Sequence, residues 1–260
     1  MTGKSKTPDE NINDPNRGER IAKVLARCGV ASRRDAERMI EDGRVSLNGK
    51  PVTSPATFVT AQDTLAVDGA KVGQKELPRL FLYHKPAGLI TTAKDPEGRP
   101  TVFEKLPKTL PRLISVGRLD LNTEGLLLLT NDGQLSRTLE LPSTGWIRTY
   151  RVRAHGTVSE RKLASLKRGI TWKGVKYAPI EAILDQKQEA SNAWLTMSLS
   201  EGKNREIRNV MEALGLKVSR LIRTAYGPFE LGDMARGDLQ EIRTDELKSA
   251  LPDELVQRIF

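Results

Sequence analysis

From Val116 to Gly133 the chain reads Val-Gly-Arg-Leu-Asp-Leu-Asn-Thr-Glu-Gly-Leu-Leu-Leu-Leu-Thr-Asn-Asp-Gly. An apolar strand enters a loop holding Arg118, Asp120, Asn122 and Thr123, and a still more apolar strand leaves it. Loops held between buried strands are frequent seats of catalytic groups. A carboxylate in such a loop could attack as a nucleophile, or serve as a base and electrostatic stabiliser. Either role needs it ionised, so a cation close by is expected. Taken alone, the same residues also describe an Asx turn at Asp120 beside an exposed loop charge at Arg118. A second cluster follows at Glu201 to Met211. There Asn204 can cap a helix whose apolar face is Ile207, Val210, Met211 and Leu214, with Arg205 and Arg208 three residues apart on a neighbouring face. Alone, Lys203, Arg205 and Arg208 read as surface cations or phosphate contacts, and Tyr150 as a cross-strand aromatic.

Other chemistries lack their residues. The one cysteine, Cys28, falls in a run with helical spacing and reads as a small core residue. It cannot form an internal disulfide, which fits a reducing compartment. His84 and His155 lie in separate segments with no companion cysteine, so no zinc site is expected. Neither a phosphate-binding Gly-x-x-x-x-Gly-Lys-Ser/Thr loop nor a dinucleotide fingerprint occurs, which argues against an ATP-dependent tRNA enzyme.

The formal net charge of +9 favours a polyanionic partner. No apolar run approaches the ~20 residues that cross a bilayer, and Met1 to Pro15 lacks the apolar centre of a signal peptide. A nucleic acid in the cytoplasm is therefore the expected partner. With 260 residues, 38% hydrophobic and 29% charged, the chain can bury a substantial core.

Residues 1–16 read as a flexible tail, being polar and charged with few apolar residues. A compact unit over 17–75 opens with a helix across Arg20 to Cys28, apolar at Ile21, Val24, Leu25 and Cys28 and stopped by Gly29. Ser32 caps a second helix from Arg33 to Asp42, ended by Gly43. Asn48-Gly49 between Arg44–Leu47 and Lys50–Val52 is a hairpin signal, and Asp63 to Gly69 alternates like a strand. These residues carry eleven Lys or Arg against seven Asp or Glu, a net +4. After a linker at Gly73 to Pro78, residues 79–260 alternate strands and helices without a regular βαβ rhythm. Strands are expected at 79–83, 113–116, 126–130, 149–154, 178–184 and 194–199, and helices at 101–106, 134–140, 159–167 and 204–214. That pattern describes an α+β domain with a mainly antiparallel mixed sheet. A short helix is expected near the C-terminus.

The two helices and hairpin of 17–75 resemble the S4 RNA-binding domain. The match runs through Arg20–Leu25, Gly29–Arg34, Ala36-Glu37, Ile40, Gly43–Val45 and Leu47–Val52. Gly117–Asp120 followed by Asn122-Thr123-x-Gly125-Leu126-Leu127 resembles the signature loop of RsuA/RluB-type pseudouridine synthases. Tyr83–Gly88 is similar to that family's first motif, Arg148–Val152 to its tyrosine-bearing strand, Glu201–Met211 to its final motif, and Arg220-Leu221-x-Arg223 to its last core element. The resemblance implies an αα-hairpin S4 domain ahead of a catalytic domain that isomerises uridine in RNA, with no cofactor. It implies that Asp120 is the essential carboxylate, Arg208 its ion-pair partner, and Tyr150 a ring set against the uracil. Arg118 would sit beside the flipped nucleotide, and Leu221 would pack the pocket floor. Lys203 and Arg205, with Arg20, Lys23, Arg33, Arg34 and Lys50 of the S4 unit, are the expected RNA contacts. The loop residues Asn122–Gly125 and the Arg148–Arg153 strand look closest to the branch acting on large-subunit ribosomal RNA. A monomer is expected. The competing expectation is a ribosome-assembly factor that keeps the fold without the chemistry.

Overall fold

The computed structural model describes residues 18–141, 144–185 and 191–260, so the expected N-terminal tail lies outside the described residues. The chain divides into two compact units, Met1–Glu76 and Leu77–Phe260.

The first unit runs β1 (Glu19–Arg20), α1 (Ile21–Arg27), α2 (Arg33–Glu41), β2 (Val45–Leu47), β3 (Lys50–Pro51), β4 (Phe58–Val59), β5 (Leu65–Val67) and β6 (Ala70–Lys71). The Ser32 hydroxyl accepts from the Asp35 amide, satisfying an orphan donor at the start of α2. Asn48 and Gly49 both adopt positive φ (52° and 79°), the geometry that lets a two-residue turn join twisted strands. Strands β3, β2, β5 and β6 form one antiparallel sheet. Ile21, Leu25, Ala36 and Ile40 pack on Val45, Val59 and Leu65 in a core of the unit's own. Cys28 differs from expectation: it sits half-buried at the end of α1, outside that buried cluster.

The second unit runs β7 (Leu80–Lys85), β8 (Ile114–Val116), β9 (Glu124–Thr130), α3 (Gly133–Glu140), β10 (Arg148–His155), α4 (Glu160–Ser165), β11 (Ile170–Trp172), β12 (Val175–Tyr177), β13 (Glu181–Leu184) and β14 (Asn192–Leu199). It continues with α5 (Glu206–Ala213), β15 (Lys217–Tyr226), β16 (Phe229–Glu230), β17 (Leu239–Ile242), α6 (Thr244–Ala250) and α7 (Asp253–Ile259). Among the described residues a nine-stranded sheet is ordered β13-β14-β10-β15-β9-β7-β17, with β16 on β15 and β8 on β9. Every pairing in it is antiparallel except β9–β15, which joins the two halves.

Strand β9 explains its own unbroken leucines. Leu126 and Leu128 face α3, α6 and α7, while Leu127 and Leu129 face Phe81, Tyr83 and Leu119, so both faces of the strand are buried. Strand β10 instead alternates. Val152 and Ala154 pack beneath α5 on Ile207, Val210 and Met211, and Tyr150 packs against the edge of this core. Arg151, Arg153 and His155 point out. Several expectations change, among them strands β15, β16 and β17, which lie beyond the last strand expected. Residues 101–106 form only a short 3-10 turn, Phe103–Lys105. Residues 170–177 form a β-hairpin, β11–β12, where no strand was expected. The C-terminal helix is two, α6 and α7, because Pro252 lacks the amide that would continue the first.

Candidate active site

A cleft of about 480 Å³ opens between the β8–β9 loop, β10, β15 and the segment leading into α5, within the ~300–1,000 Å³ common for ligand clefts. Asp120, Arg118, Tyr150, Lys203, Arg205 and Leu221 all line it.

Asp120 is held by its backbone. Its carbonyl accepts from the Thr123 amide at 3.0 Å, closing a tight turn. Thr91 Oγ1 donates to the Leu119 carbonyl at 2.9 Å and accepts from the Leu119 amide at 3.3 Å. Beneath the turn lies Lys85, fully buried. Its ammonium donates to the carbonyls of Thr123 (2.9 Å), Pro86 (3.1 Å), Asp120 (3.2 Å) and Leu121 (3.3 Å). Burial pulls the Lys85 pKa down to about 8, with Asp120 and Glu124 opposing. The loop is thus fixed from below, and the Asp120 side chain, about one third exposed, faces the cleft.

The cation beside Asp120 is not the expected one. Arg205 Nη1 lies 3.5 Å from Asp120 Oδ2. Arg208 instead donates to the carbonyls of Asn122 (3.1 Å) and Val218 (3.3 Å). The reason is local geometry. Asn204 does not cap the helix; α5 begins at Glu206 after Arg205, whose φ of 50° is left-handed and turns its side chain back over the cleft. Arg208 follows one turn later, where burial and the Arg205 guanidinium lower its pKa against the pull of Asp120. Arg208 therefore senses the carboxylate without an ion pair to it, and it fastens the signature loop through Asn122.

Tyr150 is half-buried between two apolar clusters and turns one side to the cleft. Leu221 is buried and belongs both to the α5 core and to the cleft wall. Arg118 is exposed at the cleft. Lys203 is exposed but engaged: its ammonium donates to Glu201 (2.7 Å) and to the Lys176 carbonyl (2.7 Å). In the first unit Arg20, Arg33, Arg34 and Lys50 are exposed, whereas Lys23 pairs with Glu19 at 2.6 Å. Those five belong to the first unit.

Several residues lining or lying beside the cleft escaped sequence reasoning. Arg223 is buried, donates through Nε to the Leu126 carbonyl at 2.7 Å, and has its guanidinium 5.0 Å from the Tyr226 ring centroid. Arg148 is buried against Tyr226 Oη (2.9 Å) and the Ser200 carbonyl (2.5 Å). Glu206 is buried, its carboxyl accepting from the Lys203 amide at 2.9 Å, and burial raises its pKa. Glu124 accepts a bidentate contact from Arg220 (2.8 and 3.0 Å) and a second from Arg236 (3.0 Å), which lower its pKa. Lys85, Glu124, Arg148, Glu206 and Arg223 all lie inside the quoted motifs. Their residue types alone gave no sign of burial. Among the described residues no cluster of three or more His, Cys, Asp or Glu could hold a metal, and no helix is long and apolar enough to cross a membrane.

Comparison with known proteins agrees with this architecture. Residues 19–65 match the S4 domain family. A Rickettsia felis protein named as an uncharacterized RNA pseudouridine synthase is 48% identical over 88% of this chain and 99% of its own. Ribosomal large subunit pseudouridine synthase B of Pasteurella multocida is 43% identical over 86% of this chain and 67% of its own. A crystal structure of a pseudouridylate synthase superposes with a TM-score of 0.65 at 26% identity, covering 90% of this chain and all of that one. Residues 79–213 match the RNA pseudouridylate synthase family, and with an S4 domain ahead of that match the chain belongs to the RNA pseudouridine synthases.

Proposed function

We propose that this enzyme isomerises one uridine of large-subunit ribosomal RNA, with Asp120 as its catalytic carboxylate. The observation that carries the reading is the convergence of Asp120, Tyr150 and Arg118 on one cleft whose floor is apolar Leu221. The reaction breaks the N1–C1′ bond of the uridine and forms a C5–C1′ bond. C5 gives up one proton and N1 gains one, so no redox partner or group carrier enters. The cleft must take in one nucleotide, because an enzyme acting on a base removes it from its helix. The half-buried Tyr150 ring supplies a stacking wall for the uracil, and Arg118 stands where the displaced backbone or vacated space would be. Arg205, within ion-pair distance of Asp120, neighbours the carboxylate before RNA enters and can swing to phosphate afterwards.

The large-subunit assignment is supported by the relative in Pasteurella multocida, which is named for the ribosomal large subunit. We further propose a monomer acting in the cytoplasm, in keeping with a cleft built within one chain and a single cysteine. The test incubates wild type and Asp120→Asn with unmodified large-subunit rRNA transcript and maps pseudouridine by carbodiimide adducts that stop reverse transcription. A stop with wild type alone is expected. No stop on large-subunit RNA, small-subunit RNA or partly assembled particles, with RNA binding intact, would replace this reading with an assembly factor.

A further inference from the structure

The sheet that carries the cleft has a second side. Along β10, Tyr150, Val152 and Ala154 face α5 and the cleft, and Arg151, Arg153 and His155 face the other way. Strand register extends that outer face sideways. Trp194 and Arg220 lie opposite Arg153, Thr196 and Ile222 opposite Arg151, and Lys217 opposite His155. Ile183 of β13 continues it opposite Thr196. On the β9–β7 half of the sheet this side is covered by α3, α6 and α7. Over β13, β14, β10 and the Lys217–Arg220 end of β15 no described element of the unit covers it, while Ile222 further along β15 packs against the α3, α6 and α7 cluster; Arg151, Arg153, His155 and Lys217 are exposed.

We propose that this outer face is a second RNA-contacting surface, taking a single-stranded segment that flanks the target uridine. The inference rests on RNA being the substrate. An uncovered sheet face usually signals a missing protein layer, but such a layer would demand apolar side chains, and here only Ile183 is a large apolar residue well exposed (55%). The face instead sets cations and hydroxyl and amide groups around one indole, with Asp185 and Glu124 engaged by its arginines and one exposed carboxylate, Glu181, at its β13 edge. The Trp194 ring has the Arg151 guanidinium 4.7 Å and the Arg220 guanidinium 6.0 Å from its centroid. Arg151 and Arg220 are held in place by carboxylates, Asp185 at 3.4 Å and Glu124 at 2.8 Å. They therefore present ordered planes, on which unpaired bases stack. Arg153 and Lys217 have no carboxylate partner among the described residues and remain available to phosphates. Cations for the backbone beside flat groups for bases are the needs of a single strand. A duplex would hide its base faces, and a second copy of this face would oppose like charges.

The experiment measures affinity for an unmodified large-subunit rRNA transcript by fluorescence anisotropy across a salt series, with each variant's fold checked by thermal melting. Arg153→Gln is expected to lower the slope of log affinity against log salt by about 0.7, the loss of one single-strand phosphate contact. Trp194→Leu is expected to weaken binding about tenfold with the slope unchanged, as loss of stacking requires. Lys248→Gln, at an exposed position of α6, is the control for net charge. Folded variants with wild-type affinity and slope would overturn the proposal, as would an equal effect in the control. Self-association in sedimentation that Arg153→Gln abolishes would give the face to a second copy instead. Wild-type protein that bound no RNA would overturn this proposal together with the substrate reading.

Discussion

At the scale of single residues, the least conspicuous member of the site does most to shape it. Lys85 is an ammonium with no carboxylate partner among the described residues and four carbonyl acceptors, three of them from the loop that presents Asp120. Lys85→Met keeps the length but leaves those carbonyls without a donor, each buried orphan costing about 1–3 kcal/mol. Turnover should fall at least a hundredfold, while RNA affinity changes little. The shifted ionisation gives a second readout. The folded-state pKa, about 8, lies below the unfolded value of 10.5, so between these values the unfolded chain binds more protons. Stability then rises with pH through that window, by up to about 3 kcal/mol from this group. Urea unfolding of wild type minus Lys85→Met should show the rise between pH 8 and 10.5. A difference flat across that range would mean that Lys85 titrates normally. Arg205 is the other residue-scale lesson. A cation beside the carboxylate was readable from chemistry. Which arginine supplies it was not, because that turns on one left-handed φ angle before α5.

Among the elements, the join between β9 and β15 decides whether the cleft exists. It is the one parallel pair in the sheet, with Ile222 opposite Glu124 and Arg223 opposite Gly125. Gly125 sits at φ 103°, and a Cβ there would lie 2.2 Å from the Arg223 carbonyl oxygen. Backbone cannot yield at that distance, so Gly125→Ala should cost about 3 kcal/mol or more and abolish turnover. Urea midpoint and pseudouridine yield would check both, and a variant of near-native stability would show that the two strands need not touch. The same join marks what sequence could tell. The leucines of β9, the Asn-Gly hairpin and the Ser32 cap each obey a local rule and were legible. The hairpin β11–β12 was not, since Trp172 and Tyr177 become strand residues by packing against the α5 core rather than by local pattern. The burial of Arg148, Glu206 and Arg223 was equally invisible, because a polar residue is buried only when distant segments supply its partners.

For the whole molecule, the consequence of two units with separate cores is that binding and chemistry can be parted. Residues 1–76 bury their own cluster around Ile21, Leu25 and Ile40, and residues 77–260 bury three others. Deleting residues 1–76 should therefore leave a folded catalytic unit with a cooperative melt. It also removes exposed Arg20, Arg33, Arg34 and Lys50, cations without a carboxylate partner among the described residues. If each meets one phosphate, the slope of log affinity against log salt should become shallower by roughly 3, at about 0.7–0.9 per contact. At low salt the truncated enzyme should still convert its uridine, because every residue lining the cleft belongs to the second unit. The loss of activity should then deepen steeply as salt is raised toward physiological strength. A truncated enzyme equally inactive at all salt concentrations would mean that the first unit helps to form the site. An unchanged slope would mean that its arginines contact something other than RNA.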